Sequence, residues 1–381
     1  MKAFVLNNIS KAVLNDLSNK NLIVDDVNKA DSILVRSFEM KDYKLPDTVL
    51  AVARAGAGVN NIPFKDYAKK GIVVFNTPGA NANAVKELTL CALFLLSRDI
   101  IGGKNWVDDH KDNPDIATMA EKTKAQFAGN EIFGKKIAVL GLGKIGILVA
   151  NACVHLGMEV YGYDPYLSND NARLLDKKIK YFSKVEDCIN NVDFITIHVP
   201  AIPATKGMLN QSLINKAAYG VKILNFARDT LINEDDLEKL LNENKVSKYI
   251  TDFSNPRVTK FKNTIILPHL GASTSEAEDN CAVMAINQLV DYIDNGNIVN
   301  SVNLPSLNAG SKKSKHRICI IHNNAPEITT KLKTLLSDSG CNIKNMCSKV
   351  KDDLAYTIID VDELNNVNFS TIDNIIRLRI I

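Results

Sequence analysis

A glycine-rich turn is the first segment whose composition and spacing could do chemistry. Residues 141–146 follow the pattern GxGxxG, with an apolar run before them at 137–140 and a helical pattern after them at 147–156. In such a turn the first glycine allows the tight bend, the second lets the backbone approach a pyrophosphate, and the third lets helix and strand pack closely. The pattern predicts a dinucleotide phosphate site at a helix N-terminus. Its predicted contacts are Gly141, Gly143, Lys144, Ile145 and Gly146.

An acidic residue follows at the distance expected for ribose recognition. Asp164 ends the next strand candidate, 18 residues after Gly146. A carboxylate at this place binds the ribose hydroxyls of NAD and repels the 2′-phosphate of NADP. Pro165 and Tyr166 bring no cation that would compensate. We therefore expect NAD as the cofactor, and the alternative is that Asp164 is only a turn residue.

A histidine and an arginine each follow an apolar strand candidate. Removing hydride from a hydroxy acid needs a group that takes the hydroxyl proton and a cation that holds the carboxylate. His269 could take the proton, and the guanidinium of Arg228 could bind the carboxylate through two hydrogen bonds. The alternatives are a hydrogen-bonded loop histidine, and a surface ion pair of Arg228 with Asp229 or Asp235.

A third candidate site lies near the N-terminus. The loop at 54–61 follows a strand candidate and presents successive backbone N–H groups beside an arginine, which suits an anion. A second turn at 76–81 leads into a helix that contains Glu87. Ordinary turn formation is the alternative for both segments. The predicted substrate contacts are Arg54, Gly56, Ala57 and Gly58.

These residues must be positioned by alternating strands and helices. The alternation predicts α/β architecture with two doubly wound parallel sheets, and the pattern restarts near residue 136, where a second domain begins. An amphipathic helix is predicted at 84–96 and a polar crossing between domains at 103–126. The strand candidates are 3–6, 32–35, 49–54 and 72–75, followed by 137–140, 159–163, 194–198, 222–226, 249–252 and 264–267.

The C-terminal region predicts a separate small α+β module. Residues 304–315 combine turn formers with charged side chains, which is typical of a linker. About 66 residues follow in the order strand, helix, strand, strand, at 317–322, 327–339, 343–350 and 355–361. A module of this size is too small to be a catalytic domain.

Composition excludes several other classes of protein. The 46 Lys and Arg residues nearly balance the 43 Asp and Glu residues, so nucleic acid binding is not indicated. The seven cysteines form no CxxC pair and no cluster with histidine, so we expect reduced thiols and no metal site. The N-terminus lacks a secretory signal, and no uncharged stretch is long enough for a membrane helix. We expect a cytoplasmic protein.

Taken together, the motifs resemble the D-isomer-specific 2-hydroxy-acid dehydrogenase family, over essentially the whole chain. The resemblance implies that Arg228 binds substrate, that His269 is the acid/base and that Asp252 accepts a hydrogen bond from the nicotinamide carboxamide. The segments that carry the resemblance are 54–62, 76–78, 87–89, 127–135, 141–146, 198–200, 225–228, 252 and 268–273. Within the segment 198–200, His198 and Pro200 are further expected cofactor contacts.

The resemblance also implies a domain division and an assembly. Residues 1–98 and 283–305 would form a discontinuous substrate domain, and residues 99–282 the NAD-binding domain. Residues 306–315 would be a linker to a module at 316–381 that resembles an ACT domain of ferredoxin-like fold. Members of the family are usually homodimers through the nucleotide domain, or homotetramers.

The implied reaction is oxidation of 3-phospho-D-glycerate to 3-phosphohydroxypyruvate, the first step of L-serine biosynthesis. One alternative is a glyoxylate or hydroxypyruvate reductase of the same family, which would leave the terminal module unexplained. Another is a non-catalytic protein that senses NAD, against which the retention of both Arg228 and His269 argues.

The terminal module resembles the part of serine-regulated relatives that holds the effector. His322, Asn324 and Asn342 stand at the positions of effector contacts, so L-serine is a candidate effector. Glu327, however, replaces the glycine usually found after Pro326, which weakens the prediction of serine binding.

A second departure from the family concerns the histidine. Relatives usually have a Glu before a proline in the segment after Asp252, and this Glu pairs with the histidine. Here Asn255 precedes Pro256, and no carboxylate occurs between Asp252 and His269. Asn255, or a lysine such as Lys260 or Lys262, is a candidate substitute for this Glu.

Because the partner carboxylate is missing, we expect the acidic limb of the pH profile of kcat/KM to lie at lower pH than in relatives that keep the Glu. Steady-state rates measured across the pH range test this. A limb well above the value of a free imidazole, about 6.5, would contradict the prediction.

Overall fold

The computed structural model describes residues 1–7 and 9–381, apart from the side chains of residues 11 and 12. No helix in this part of the chain is long and apolar enough to span a bilayer. The strands are β1 (Ala3–Val5), β2 (Ser32–Val35), β3 (Ala51–Arg54), β4 (Val73–Phe75), β5 (Lys136–Leu140), β6 (Glu159–Tyr163), β7 (Lys180–Phe182), β8 (Phe194–Ile197), β9 (Val221–Asn225), β10 (Val246–Thr251), β11 (Thr264–Ile266), β12 (His316–Asn323), β13 (Ile343–Lys351), β14 (Leu354–Val361) and β15 (Ile375–Ile380). The helices are α1 (Lys11–Asn19), α2 (Phe64–Lys69), α3 (Ala82–Ser97), α4 (Ile100–His110), α5 (Ile116–Thr123), α6 (Lys144–His155), α7 (Asn169–Arg173), α8 (Val185–Cys188), α9 (Gln211–Ile214), α10 (Glu234–Asn242), α11 (Ser275–Asn295) and α12 (Ile328–Asp338).

The chain divides into two compact units. The continuous unit is Ala82–Thr274, and the discontinuous unit combines Met1–Asn81 with Ser275–Ile381. This division differs from the domain boundaries expected from the sequence. Helix α3 lies in the continuous unit, the whole of α11 lies in the discontinuous unit, and the terminal module belongs to the same compact unit as β1 to β4.

The continuous unit is built on a parallel sheet of seven strands in the order β11-β10-β9-β8-β5-β6-β7. The chain winds outward from β5 to β7 and then returns, so that β8 lies on the other side of β5. This is the doubly wound order, whose ligands bind outside the carboxyl ends of the strands near the switch point. The sequence predicted six of these strands. It missed β7, which has three residues, all at least partly exposed, and therefore shows no buried apolar run.

Helices cover both faces of this sheet. On one face α3 and α6 pack against β5, β6 and β8 to β10, through buried residues such as Leu93 and Val149. On the other face α8, α9 and α10 bury leucines such as Leu213 and Leu240 against the same strands. The predicted polar crossing at 103–126 is largely helical, because α4 and α5 form within it.

The discontinuous unit contains a second parallel sheet, in the order β1-β2-β3-β4. Ile23 adds a single parallel bridge to Ala3, on the outer side of β1, so the strand order is that of a doubly wound flavodoxin-like sheet. Helices α1 and α11 cover one face, and α2 covers the other. The predicted fold class, two doubly wound sheets with a small α+β module, is confirmed.

The terminal module is an antiparallel sheet in the order β13-β14-β12-β15. Helix α12 packs on one face through Leu332 and Leu336. The opposite face, which includes Tyr356 and Ile358, joins the core formed by α11 and the parallel sheet of the same unit. The sequence prediction ended at β14 and missed β15.

The carboxyl end of α11 is bound by side chains of this module. Arg379 donates to the carbonyls of Tyr292 and Ile293, and Arg317 donates to that of Asn295. Cations at this end of a helix are favoured, because the last carbonyls have no partner within the helix and carry partial negative charge. The expected linker is also partly buried, since Leu307 is only 6% exposed and pairs with the chain at residue 298. The module is therefore packed as part of the discontinuous unit.

The buried ion pair of Arg317 and Asp360 should hold this arrangement. The guanidinium makes two hydrogen bonds to the carboxylate, 2.7 and 2.9 Å long. Arg317→Ala leaves a buried carboxylate without its cation, so we expect a loss of about 3 to 5 kcal/mol in the free energy of unfolding, measured by urea denaturation. The matched control is Lys344→Ala, which removes the half-exposed Lys344–Asp362 pair and should cost less than about 1 kcal/mol. Equal losses in the two variants would contradict the prediction.

Candidate active site

The glycine-rich turn has the geometry that its spacing predicts. Gly141 has a φ of +96°, in the region that favours glycine, and a Cβ there would lie 2.8 Å from the backbone of His198. A Cβ on Gly146 would lie 1.8 Å from the carbonyl oxygen of Gly141. A Cβ on Gly143 would meet no atom of the described protein within 4 Å. The fold itself therefore requires glycine at 141 and 146, whereas Gly143 faces open space.

The N-terminus of α6 opens onto this space. Gly143 is the N-cap, and no side chain caps the helix. The first N–H groups of a helix have no partner within it, so those of Lys144, Ile145 and Gly146 depend on another acceptor. The side chain of Lys144 is exposed. Uncapped N–H groups beside an open glycine fit a pyrophosphate.

Asp164 lies directly beside the turn. Its carboxylate accepts the backbone N–H of Leu142 and that of Tyr166, each at 2.9 Å. Asp164 therefore stabilises the local turn, which was the alternative role considered for it. The first of these bonds also ties the carboxylate to the glycine-rich segment, where the proposed ribose would lie.

His198 lies against the third glycine of the motif. Its ring forms a hydrogen bond with the hydroxyl of Thr196, and the surrounding protein lowers its pKa to about 4 by desolvation. The ring is consequently neutral near pH 7, and His198 is unsuited to act as a cation there. The carbonyl of Pro200 accepts a hydrogen bond from Thr205 and closes the loop after β8.

Three further loops follow the adjacent strands β9, β10 and β11, and each contains one predicted residue. Arg228 follows β9, Asp252 follows β10 and His269 follows β11. The backbone carbonyl of Asp252 accepts the N–H of His269 at 2.8 Å, and its carboxylate accepts the N–H of Gly271 at 2.7 Å. The structure thus brings together at one sheet edge the residues that were predicted from separate segments.

Asp252 has one carboxylate oxygen without a partner. The side chain is 1% exposed, and Oδ1 has no hydrogen-bond partner. Burial raises the pKa of this carboxyl group, while the N–H of Gly271 and the charges of His269 and Arg228 act in the opposite direction. A buried acceptor without a donor is costly, so the site fits a ligand that brings an N–H group, such as the carboxamide of nicotinamide.

Arg228 does not form the surface ion pair with Asp229 or Asp235 that was the alternative to a role in the site. It forms no salt bridge within residues 1–7 and 9–381, and Asp235 pairs with Arg257 instead. One guanidinium nitrogen donates to the carbonyl of Ala227 at 2.6 Å. This carbonyl is the one hydrogen-bond acceptor of the guanidinium among the described residues, so donors of Arg228 are left over that could bind a carboxylate.

His269 sits in an unusual backbone conformation. Its φ is +40°, in the left-handed region, and its exposed ring lies 5.0 Å from the ring of Phe253. The imidazole makes no hydrogen bond within the described chain, so it is not the hydrogen-bonded loop histidine of the alternative. Non-glycine residues held at positive φ cluster at functional sites.

Asn255 does not replace the missing Glu. Its amide donates to Glu234 at 2.8 Å, and its carbonyl accepts the N–H groups of Arg257 and Val258. The side chain is therefore fully used in holding its own loop. No salt bridge in the described part of the chain involves the alternative candidates, Lys260 and Lys262.

The anion-binding loop predicted near the N-terminus lies in the discontinuous unit. Arg54 donates to the side chain of Asn61 at 3.1 Å, and a Cβ on Gly56 would lie 2.2 Å from its guanidinium. The carbonyl of Ala57 accepts the amide of Asn76, which joins the two predicted turns of this unit. Within the described chain, the N–H groups of Ala57 and Gly58 have no backbone partner.

The predicted effector contacts are less suited to a ligand. His322 is 2% exposed, and its two ring nitrogens already bond the carbonyl of Asn323 and the hydroxyl of Thr357. Burial lowers the pKa of His322. Asn324 is used through its backbone N–H, and Asn342 is exposed. A neutral ring with both nitrogens occupied has no group left for an effector.

Comparisons with known proteins identify relatives of this chain. Residues 90–271 match the family model of the D-isomer specific 2-hydroxyacid dehydrogenase, NAD binding domain. The chain is 29% identical to D-3-phosphoglycerate dehydrogenase of Haemophilus influenzae, over 87% of this chain and 81% of that protein. It is 31% identical to the enzyme of the same name from Synechocystis, over 75% of this chain, and 30% identical to that of Homo sapiens, over 77%. The chain spans only about half of the length of these last two relatives, 51% and 54%.

Solved structures share the fold. D-2-hydroxyisocaproate dehydrogenase superposes with a TM-score of 0.65 at 19% identity, over 80% of this chain and all of that chain. The NAD-complexed D-isomer specific 2-hydroxyacid dehydrogenase of Lactobacillus delbrueckii gives 0.64 at 19% identity with the same coverage. Residues 90–271 thus match the NAD-binding domain of D-isomer specific 2-hydroxyacid dehydrogenases, and the protein is an NAD-dependent oxidoreductase.

Sequence reasoning assigned no role to two buried polar residues that bond to these loops. Asn225 and Thr251 are buried at the carboxyl ends of β9 and β10. A polar residue at the end of an apolar strand is the signal that could have identified each of them. That signal is weak, because many strands end in a polar residue.

Substitutions at Gly143 and Gly146 should affect cofactor binding and folding stability differently. Gly143→Ala places a methyl group in open space, so we expect the melting temperature to change little, whereas NADH affinity should fall at least about tenfold because the pyrophosphate loses that space. Gly146→Ala forces the turn apart and should cost about 1 to 3 kcal/mol of stability. Thermal unfolding and fluorescence titration with NADH measure the two effects. Wild-type NADH affinity in Gly143→Ala would contradict the assignment.

Proposed function

We propose that the protein oxidises 3-phospho-D-glycerate to 3-phosphohydroxypyruvate with NAD. The observation that carries the proposal is the convergence of Arg228, Asp252 and His269 on three adjacent loops at the carboxyl edge of the NAD-binding sheet. The relatives named D-3-phosphoglycerate dehydrogenase support the choice of substrate.

In this proposal each residue has one task. The guanidinium of Arg228 holds the substrate carboxylate and polarises the oxygen on C2. The exposed imidazole of His269 accepts the C2 hydroxyl proton as the carbonyl forms. Asp252 accepts a hydrogen bond from the carboxamide through its unpartnered oxygen, which fixes the face of the ring. NAD, when bound, supplies the acceptor for the hydride that leaves C2.

The phosphate end of the substrate needs a separate anion site. The loop of Arg54 offers a cation and the free N–H groups of Ala57 and Gly58, and Gly56 keeps the backbone close to the guanidinium. These groups suit a phosphate or carboxylate. Arg54, Gly56, Ala57 and Gly58 therefore remain the predicted anion contacts of the discontinuous unit.

The proposed assembly is a homodimer or a homotetramer formed through the NAD-binding unit. Large apolar side chains of this unit are exposed around α3 and α4. Where such side chains form one continuous apolar patch, they mark a protein interface. L-serine remains a candidate effector, although the occupied ring of His322 does not favour the predicted contacts. The exposed apolar residues are Phe94, Ile100, Ile101, Val107 and Phe133.

Replacing Arg228 tests the proposal. Arg228→Ala should lower kcat/KM for 3-phosphohydroxypyruvate with NADH by about 10³-fold and leave NADH affinity within about threefold, since the guanidinium serves the substrate. Arg228→Lys should restore only part of the activity, because an ammonium cannot form the two parallel hydrogen bonds.

The matched control is Arg257→Ala, an arginine paired with Asp235 and Glu238 outside the site, which should keep wild-type kcat/KM. Glyoxylate, hydroxypyruvate and pyruvate should be assayed in parallel. Faster turnover of one of these acids would reassign the substrate, and no turnover of any would favour a protein that only senses NAD.

A further inference from the structure

Thr251, the last residue of β10, joins two of the three loops. Its buried hydroxyl donates to the backbone carbonyl of Asn225 on β9 at 2.8 Å. The same hydroxyl accepts the backbone N–H of Phe253, the residue after Asp252, at 3.2 Å. One side chain therefore ties the end of β9 to the backbone that presents Asp252.

Asn225 continues this connection toward the arginine. Its side-chain amide donates to the carbonyl of Arg228 at 2.8 Å, and its side-chain oxygen accepts the N–H of Ala227 at 3.2 Å. Asn225 is completely buried. The turn that ends in Arg228 is thus closed by the side chain of Asn225.

The connection also extends to the histidine. The carbonyl of Thr251 accepts the N–H of Leu267, and that of Asp252 accepts the N–H of His269. Hydrogen bonds, together with the peptide bond between Thr251 and Asp252, therefore connect Arg228 through Asn225, Thr251 and Asp252 to His269. The bond from Thr251 to Asn225 and the bond from His269 to Asp252 each join neighbouring strand ends, and the bonds of Asn225 to Arg228 and of Phe253 to Thr251 each lie within one loop.

We infer that Thr251 and Asn225 are positioning residues, which set the spacing between Arg228 and the pair of Asp252 and His269. This inference rests on the proposed roles of those three residues and adds the device that aligns them. Productive geometry must be held within about 0.5 Å, and a displacement of about 1 Å can cost 100-fold in rate. Adjacent strands alone fix the strand ends, but the loops beyond them need side-chain bonds of this kind.

The variants should separate alignment from stability. Thr251→Val keeps the branched shape and removes the hydroxyl, whereas Thr251→Ser keeps the hydroxyl. Thr264→Val is the matched control, because Thr264 lies in the same sheet and its hydroxyl only closes a local turn onto Phe261. All variants should be compared at a temperature where thermal unfolding shows them fully folded.

The first measurement does not depend on the substrate. Asp252 serves the nicotinamide end, so Thr251→Val should weaken binding of NADH about fivefold or more and leave binding of ADP-ribose, which lacks nicotinamide, within about twofold. Thr251→Ser and Thr264→Val should match wild type for both ligands. Equal changes for both ligands, or no change for either, would overturn the inference.

The second measurement is turnover of 3-phosphohydroxypyruvate with NADH. Thr251→Val should lower kcat/KM about 10- to 100-fold, with a fall in kcat, while Thr251→Ser and Thr264→Val stay within about threefold of wild type. A Thr251→Val enzyme as active as Thr264→Val would overturn the inference. If the wild-type protein fails to turn over this acid, the proposed substrate is wrong, and the contrast between NADH and ADP-ribose still decides the role of Thr251.

Discussion

The hydrogen bonds of Asp252 are the interaction on which the rest of the site depends. One residue uses its backbone carbonyl to hold His269 and one carboxylate oxygen to hold Gly271, while its second oxygen is buried without a partner among the described residues. Burying a carboxylate with one free oxygen is unfavourable, and the bond from Gly271 offsets only part of that cost. The doubly wound sheet makes the arrangement possible, because it brings the ends of β9, β10 and β11 side by side.

The sequence predicted what depends on local patterns. The glycine spacing at 141–146 predicted the tight turn, since Gly141 and Gly146 meet steric limits set by nearby residues, and the structure shows the close approach of Gly146 to Gly141. Buried strands were found because they are continuous apolar runs. Strand β7 was missed for the same reason, as its residues are exposed and short edge strands have little apolar signal.

Other features depend on contacts that no local pattern contains. The side chain of Asn255 looked available in the sequence, yet it bonds Glu234, 21 residues away. The polar linker predicted a separate terminal module. In the structure, however, the module's own sheet contributes Tyr356 and Ile358 to the core of the discontinuous unit. The partner of Asn255 and the packing of the terminal module are both set by contacts between segments that are distant in sequence.

The attachment of that module has a consequence for the order in which the chain acquires its structure during synthesis. The core around α11 needs strands from both ends of the sequence, with β3 near the start and β14 near residue 358. The NAD-binding unit, by contrast, is one uninterrupted segment. On the ribosome it has all of its strands long before its companion does, so the N-terminal sheet emerges early and waits with part of its apolar surface uncovered.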